Sequence, residues 1–508
     1  MKKQILYIII CCTSVVETGI ARTLSLKEAI HIASEHSFDA YLAKFRYEAS
    51  YWTYKSFLAE LKPSANLYGD FLNFKHSKVE ARNYEDGRIN YVDDNSMSNS
   101  LSISIDQQVS ALGGKLSIQS YLYRLDQYNY DLLTFNSQPL KISYSQPLIS
   151  YNELKWKKKI YPKQYEKAKR EYLESIESIA LTTSELFFNA ITSQSQYKQC
   201  KNKNKDLNTL YEISKKRFAL GTLTKSELLQ LELSLLNSQI DMVSAKAKQD
   251  EVIFELFSYL HINNYEDIEL LIPREVPNII INIDLAQQMA LNNSSHQYEQ
   301  DLSLLTAQQS LAQAKSAKGI QMQVSGEMGF LRTTNEIQSA YNKLQDNEIV
   351  GLKLSLPIFD WGVQKGNVKV AKSNLELVKT QIEQNREAYL QQIKQLVVML
   401  NMQNELYQTS KRVEEISLER YDITKKKFES GTVSVTDLNT AIQDQESARI
   451  RNINQLKNYW IYYLSLRKAT LYDWIGNHMI DVGFDFQNKP LIIINDEKSD
   501  IWNSIFCG

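Results

Sequence analysis

Residues 367–430 contain neither glycine nor proline, and residues 152–218 contain no glycine and a single proline, Pro162. In the later stretch apolar residues recur at 375, 378, 382, 389, 393, 396 and 400, in steps of three, four and seven, the period of a helix seam. At 1.5 Å per residue each stretch predicts a helix of roughly 100 Å, several times the ordinary globular length. A rod of that length has to bury its stripe against something equally long. Residues 30–62 and 223–261, helical by pattern, supply a partner for 152–218 when placed end to end, and 284–318 with 434–470 do the same beside 360–430.

The arrangement is written twice. "RFALGTLTKSELLQLELSLLNSQ" (217–239) aligns with "KFESGTVSVTDLNTAIQDQESAR" (427–449) at a fixed separation of 210 positions, which pairs Phe218 with Phe428, Gly221 with Gly431, Thr222 with Thr432, Leu228 with Leu438 and Glu227 with Asp437. The same register runs back to Ser145/Ser355 and Pro147/Pro357. A second register, 257 positions apart, pairs Ala29 with Ala286, Ala33 with Ala290, Ser37 with Ser294 and Gly69 with Gly326. The difference leaves about 47 extra residues between Gly69 and Ser145 in the first half. A repeat this long indicates an internally duplicated fold rather than a solenoid. At each corner, Gly221 and Gly431 are expected to end one helix in a left-handed turn, with Thr222 or Thr432 and the nearby Ser226 or Thr436 capping the next.

The segments between the helices alternate. "QMQVSGEMGF" (321–330), "VGLKLSLPI" (350–358), "SLSISIDQQV" (100–109) and "LKISYSQPL" (140–148) each carry one apolar face and one face of Ser, Gln, Lys or Asp. Six strands are expected, at 64–74, 99–110, 115–125, 138–148, 320–330 and 348–358. Alternation alone suits either a soluble sandwich with one wet face or a barrel with lipid outside. The 30 Tyr and the N-terminus favour the barrel. "MKKQILYIIICCTSVVETGIA" has a charged start, an apolar run from Ile5 to Val16 and a small-x-small end at Gly19–Ala21, a secretory signal too short to span a membrane as a helix. A lipid acceptor at Cys11 or Cys12 is conceivable, though Ile10 and Cys11 precede them; cleavage after Ala21 leaves Cys200 and Cys507, so no disulfide framework is expected. A membrane barrel needs at least eight strands and tolerates no open edge in lipid, so several chains must share one.

The net charge of −1 offers no basic field for nucleic acid. The cluster "KWKKKIYPK" (155–163) reads as a solvated helix face, with a lipid-phosphate contact as the alternative. Histidines 31, 36, 76, 261, 296 and 478 form no ligand spacing and no glycine-rich phosphate loop follows a strand, so neither catalysis, a cofactor nor a metal is expected.

The signal, the duplicated halves, the paired strands, the long helices beside stacked short ones, "QPL" and "LPIFDWG" at strand-to-helix joins, and the two Gly-Thr corners together resemble the TolC-like outer-membrane efflux proteins, over residues 24–472. The resemblance implies an α+β membrane protein: a homotrimer sharing one transmembrane β-barrel in outer-membrane lipid above a periplasmic tunnel of α-helices. It further implies passive exit for substrates of an inner-membrane transporter, by efflux or type I secretion, through a periplasmic adaptor. The rival reading is a periplasmic coiled-coil scaffold or adhesin without a pore. On this reading 1–21 is the signal, 22–265 the first repeat, 266–281 a linker, 282–472 the second repeat and 473–508 a periplasmic tail without a legible family counterpart. The family's usual subunit gives four strands, whereas this chain has room for an added hairpin around "ALGGK" (111–115).

The corners become the hairpin tips at the tunnel's inner end. Leu220, Gly221, Thr222 and Leu223 in the first, with Gly431, Thr432 and Val433 in the second, are the expected adaptor-docking residues, because small turn residues expose backbone and the apolar Leu220, Leu223 and Val433. In the family an acid just after the second corner lines the narrow entrance, sometimes with another acid three residues on, and a basic residue two after the corner glycine helps hold it shut. The matching positions here are Asp437, Thr440 and Val433. Asp437 is thus either a gate residue, lining the pore with Thr440, or a first-turn acid favoured by its helix dipole, as Glu227 is in the other hairpin.

Overall fold

The structure is a computed structural model of the chain and describes residues 22–82, 87–109, 112–263, 268–273 and 276–480. The expected signal 1–21, with Cys11 and Cys12, and the tail beyond 480, with Cys507, lie outside the described residues. In chain order the elements are β1 (Arg22–Leu24), α1 (Leu26–His36), α2 (Phe38–Glu60), β2 (Ser64–Arg82), β3 (Ile89–Val109), β4 (Gly114–Gln127), β5 (Leu132–Ile149), α3 (Glu153–Ala219) and α4 (Lys225–Tyr259). They continue with β6 (Ile268–Leu270), α5 (Ile283–Asn293), α6 (Ser295–Lys318), β7 (Gln321–Thr334), β8 (Gln345–Ser355), α7 (Val363–Glu429), α8 (Val435–Thr470), β9 (Tyr472–Asp473) and β10 (His478–Met479).

Both long rods form, as α3 and α7 of 67 residues each. The expected helices 30–62 and 284–318 are each broken in two, at the aligned serines Ser37 and Ser294. Both serines are extended, with ψ of 152° and 165°, and their amides bond back to Ala33 and Ala290. A serine side chain competes for local backbone groups: the Ser37 hydroxyl accepts from the Ala40 amide and the Ser294 hydroxyl donates to the Ala290 carbonyl. The same interruption in both halves supports the duplication.

The chain forms two compact units. One comprises Arg46–Glu171 and Ser295–Tyr389 and contains a six-stranded antiparallel sheet of order β2-β3-β4-β5-β7-β8. The six strands are those expected, extended to as many as 21 residues in β3. The two registers, which match Gly69 to Gly326 and Ser145 to Ser355, equate β2 and β5 with β7 and β8, so the added pair in the first half is the β3–β4 hairpin.

Among the described residues the other unit comprises 22–45, Tyr172–Ser294 and 390–480. Leu207 and Leu210 of α3, Leu231 and Leu235 of α4, Phe428 of α7, and Val435, Leu438 and Ile442 of α8 form one buried cluster. The two hairpins therefore share a core instead of packing separately. The segment expected as a linker contains β6, which pairs in parallel with β1. The start of the expected tail also has a fixed place. Leu471 turns left-handed at φ 45°, β9 and β10 pair antiparallel, and Asp473 is brought beside Arg467. Arg467 lies 3.0 Å from Glu177 of α3 and 3.3 Å from Asp473, all three are buried, and the Tyr463 hydroxyl donates to Asp473 at 2.8 Å. Residues 473–480 are thereby bolted to the helices by a buried charge cluster.

Candidate functional site

The sheet sorts its apolar and polar residues onto opposite faces. Ala65, Ile105, Ile118, Ile142 and Met328 stand directly opposite one another across five successive strands, and Asn66, Ser104, Gln119, Lys141 and Gly329 form the neighbouring row on the other face. On β3, Ser102 and Ser104 are 8% and 6% exposed, whereas Ile103 and Ile105 between and beside them are 51% and 45% exposed. On β3 the polar side chains are the shielded ones and the apolar ones are bare, whereas on β7 the polar Gln321, Gln323 and Ser325 are exposed as well. Two ion pairs lie on the polar face, Lys141 with Glu327 at 2.9 Å and Lys115 with Asp106 at 3.2 Å. Water exposure of such an apolar face is unfavourable by about 25 cal/mol per Å², so the arrangement suits a solvent of hydrocarbon. Among the described residues no helix is long and apolar enough to cross a membrane.

The two corners are near copies. Gly221 and Gly431 have φ of 75° and 82°, the left-handed conformation expected of them. Behind each glycine the threonine amide reaches back to the last helical turn, Thr222 to Arg217 and Thr432 to Lys427, at 3.0 and 2.9 Å. The threonine hydroxyls donate to those same two carbonyls. Thr222 and Thr432 therefore finish the preceding helix and do not cap the next, contrary to the expectation from sequence. A hydroxyl five residues past a free C-terminal carbonyl is a ready donor, and the N-cap is left to Thr224 and Ser434, extended at φ −80° and −81°. Both open full capping boxes, with Glu227 and Asp437 as the reciprocating acids.

Asp437 thus does have the first-turn role. Its Oδ2 accepts from the Ser434 hydroxyl at 2.7 Å and the Ser434 amide at 3.1 Å. The Ser434 hydroxyl, with the Ser434 amide and Arg420 assisting, holds the Asp437 carboxyl below the usual carboxylate range, and Thr224 does the same for Glu227. Asp437 and Thr440 are exposed one turn apart on α8. Asp444, one turn further, is hydrogen-bonded to Arg420 of α7.

Of the three apolar tip side chains only Leu220 stands free, at 79% exposure; Leu223 is buried and Val433 packs on the shared core. The expectation that all three are presented outward is corrected, because a tight turn leaves its flanking apolar residues pointing between the helices. Sequence reasoning also missed the groups that join the hairpins. Arg217 of α3 donates to the Phe428 carbonyl at 3.3 Å, and Asp206 of α3 accepts from Tyr421 and Lys425 of α7 at 2.5 and 2.7 Å. The 210-residue register pairs Arg217 with Lys427, so two basic residues at one corner position were the available signal.

Residues 286–470, from α5 to the end of α8, match the model of the outer membrane efflux protein family. That segment is similar to the outer membrane efflux proteins, and the fold of the chain is shared with solved outer-membrane channel structures. Solved structures of similar fold include the Campylobacter jejuni CmeC outer membrane channel, with TM-score 0.61 at 16% identity over 90% of this chain and 87% of that one. The outer membrane protein VceC of Vibrio cholerae matches with TM-score 0.62 at 12% identity over 90% and 97%. The open state of the Neisseria gonorrhoeae MtrE outer membrane channel matches with TM-score 0.57 at 14% identity over 90% of each chain. No curated protein matches in sequence. The family match covers the second half, whereas the shared fold extends over both, as the internal duplication requires.

Proposed function

We propose that three copies of this chain form an outer-membrane channel-tunnel that gives passive exit to substrates handed on by an inner-membrane pump, in efflux or type I secretion. The observation that carries the reading is the segregation of the sheet into a polar face, which suits a water-filled lumen, and an apolar face that is exposed at Ile103, Ile105 and Met328 and suits lipid. The sheet ends at β2 and β8, and six strands are too few to close a membrane barrel. Pairing β8 of one copy with β2 of the next would remove every edge from lipid and give about 18 strands, a size at which barrels hold an aqueous channel.

The helical unit supports a second interface between copies. Leu229, Leu233, Leu236, Ile240 and Val243 of α4 recur in steps of four and three on an exposed face, apart from the buried Leu228, Leu231 and Leu235. Met402, Leu406, Val413, Ile416 and Ile423 make a comparable exposed seam on α7. Two coiled-coil seams without a partner in one chain fit a ring in which α4 of each copy meets α7 of the next. In this assembly the halves 22–265 and 282–472 act as equivalent wall elements joined by 266–281, and residues 473–480 brace the periplasmic wall.

At the tips, Leu220, Gly221 and Thr222 with Gly431 and Thr432 form the docking surface for a periplasmic adaptor, with Leu220 as the apolar contact and Leu223 and Val433 packed beneath it. Asp437 and Thr440 line the periplasmic entrance. The cap at Asp437 engages Oδ2 in both bonds to Ser434, so capping and presenting a carboxylate to the pore are compatible. Mass measurement of the detergent-solubilised assembly, followed by planar-bilayer recording, tests the proposal. A trimer that conducts supports it, and a trimer without current supports the scaffold or adhesin reading.

A further inference from the structure

The "KWKKKIYPK" cluster belongs to a larger pattern at the sheet's helix-bearing end. Four helix ends meet the strands there: α2 before β2, α3 after β5, α6 before β7 and α7 after β8. The eleven helical residues nearest the sheet at each, with their connections, span 50–63, 150–163, 308–320 and 356–373, all in one compact unit. These windows hold 12 lysines against three acids, Glu60, Glu153 and Asp360, in a chain whose net charge is −1. At the opposite end of the sheet, the described turn residues 87–88, 127–132 and 335–344 hold two acids, Asp131 and Glu336, against two cations, Arg88 and Lys343. The asymmetry is confined to one rim.

The three acids of the rim are already engaged. Glu60 and Glu153 lie 3.1 and 3.4 Å from Lys157, and Asp360 accepts the amides of Gly362 and Gln364 at 2.9 and 2.8 Å. Lys157 and Lys163, the latter 2.5 Å from Asp301, are the half-buried members; the other ten lysines are exposed. An apolar feature lies at the same level. Ile358, Phe359 and Trp361 in the β8–α7 turn are exposed, Trp361 at 89%, and its φ of 53° is held between Asp360 and Gly362. A left-handed tryptophan is uncommon and needs surroundings that fix it, which the two amide bonds to Asp360 supply. The turn is built to present aromatic rings to an apolar medium, and Trp156 beside Lys159, 5.3 Å from the ammonium, repeats the pairing of ring and cation.

We infer that this rim is a basic collar that binds the anionic headgroups of phospholipids in the periplasmic leaflet, with the Phe359–Trp361 turn inserted at the headgroup level. The inference rests on the membrane reading above and adds a lipid class to it. Lysine ammonium groups reach phosphate on flexible stems, and a positive rim at one end also fixes the depth at which the barrel sits. Each lysine near an anionic surface is worth roughly five-fold in association.

The test uses the purified full-length protein in phosphatidylcholine vesicles, with trace spin-labelled phosphatidylglycerol or phosphatidylcholine as the probe. The native protein is expected to immobilise the anionic probe several-fold more strongly than the zwitterionic one, and less so as salt approaches 1 M. K155Q/K158Q/K159Q should lose most of that preference with its oligomer mass and melting unchanged, while the helical-unit control K225Q/K394Q/K411Q keeps it. Equal association of the two probes with the native protein, or a preference that survives in the first variant or falls equally in the control, overturns the collar. Current recorded on the same preparation separates the failures. Protein that conducts without lipid preference removes the collar and leaves the channel, and protein that neither inserts nor conducts removes both.

Discussion

Replacing Gly221 and Gly431 with alanine should not have equal effects, although the two corners look alike in sequence. At φ of 75° and 82° a Cβ costs about 1 kcal/mol at either position through its clash with the following carbonyl. At Gly221 a Cβ meets nothing within 4 Å. At Gly431 it would lie 2.9 Å from Nη2 and 3.3 Å from Cζ of Arg217. The guanidinium is the flexible end of its side chain and can withdraw, but then its bond to the Phe428 carbonyl is lost, which costs about 1 kcal/mol more. Gly221→Ala should therefore destabilise its corner by about 1 kcal/mol and Gly431→Ala by about 2 kcal/mol. Native-state hydrogen exchange at the Thr222 and Thr432 amides reads the local opening, with protection falling about five-fold and about thirty-fold. In an Arg217→Ala background the two losses should become equal. Equal losses in the native background, or an excess at Gly431 that persists without Arg217, would refute the assignment of Arg217 as the link between hairpins.

Arg467→Met would leave Glu177 and Asp473 buried without their cation, and should cost about 3–5 kcal/mol in urea unfolding of the detergent-solubilised protein. Asp437→Asn should weaken cation preference in reversal-potential measurements and trivalent-cation block; unaltered selectivity would remove Asp437 from the entrance. Because the carboxyls of Asp437 and Glu227 are held below their ordinary range, their capping contribution is complete at neutral pH and is lost as pH falls below the usual carboxylate range, through the depressed native values. Exchange at the two tips, corrected for intrinsic rates, should accelerate in that window, and Ser434→Ala should abolish the effect at the second tip only. Leu233→Lys with Leu236→Lys should dissociate the assembly by mass measurement if the α4 seam lies between copies.

Periodicity was enough to place both 67-residue helices and all six strands, because a stripe of that length and an alternation of that regularity each admit one backbone conformation. The positions of Gly221 and Gly431 were legible for a similar reason, since few residues other than glycine sit readily at positive φ. What the sequence hid were choices made between chemically similar neighbours. Thr222, Thr224, Ser226, Thr432, Ser434 and Thr436 all offer a capping hydroxyl, and only the backbone path decides that Thr224 and Ser434 take the N-caps. Ser37 and Ser294 read as tolerable helix residues until their extended ψ shows the break. Contacts between the halves, such as Arg217 with the Phe428 carbonyl or Arg467 with Glu177, join residues more than 200 positions apart and leave no local pattern. Leu223 and Val433 were misjudged because exposure at a turn depends on the direction in which each side chain leaves the helix.

The central claim is that the polar face of the sheet lines a water-filled pore and the apolar face meets lipid. Ser325 and Met328 of β7 lie on these opposite faces, both exposed in the single chain. Single-channel recording of Ser325→Cys and Met328→Cys during addition of a charged, water-soluble thiol reagent tests the claim most directly. The account predicts a stepwise change in current for Ser325→Cys and none for Met328→Cys. Modification of current through Met328→Cys alone, or a protein that passes no current, would contradict it.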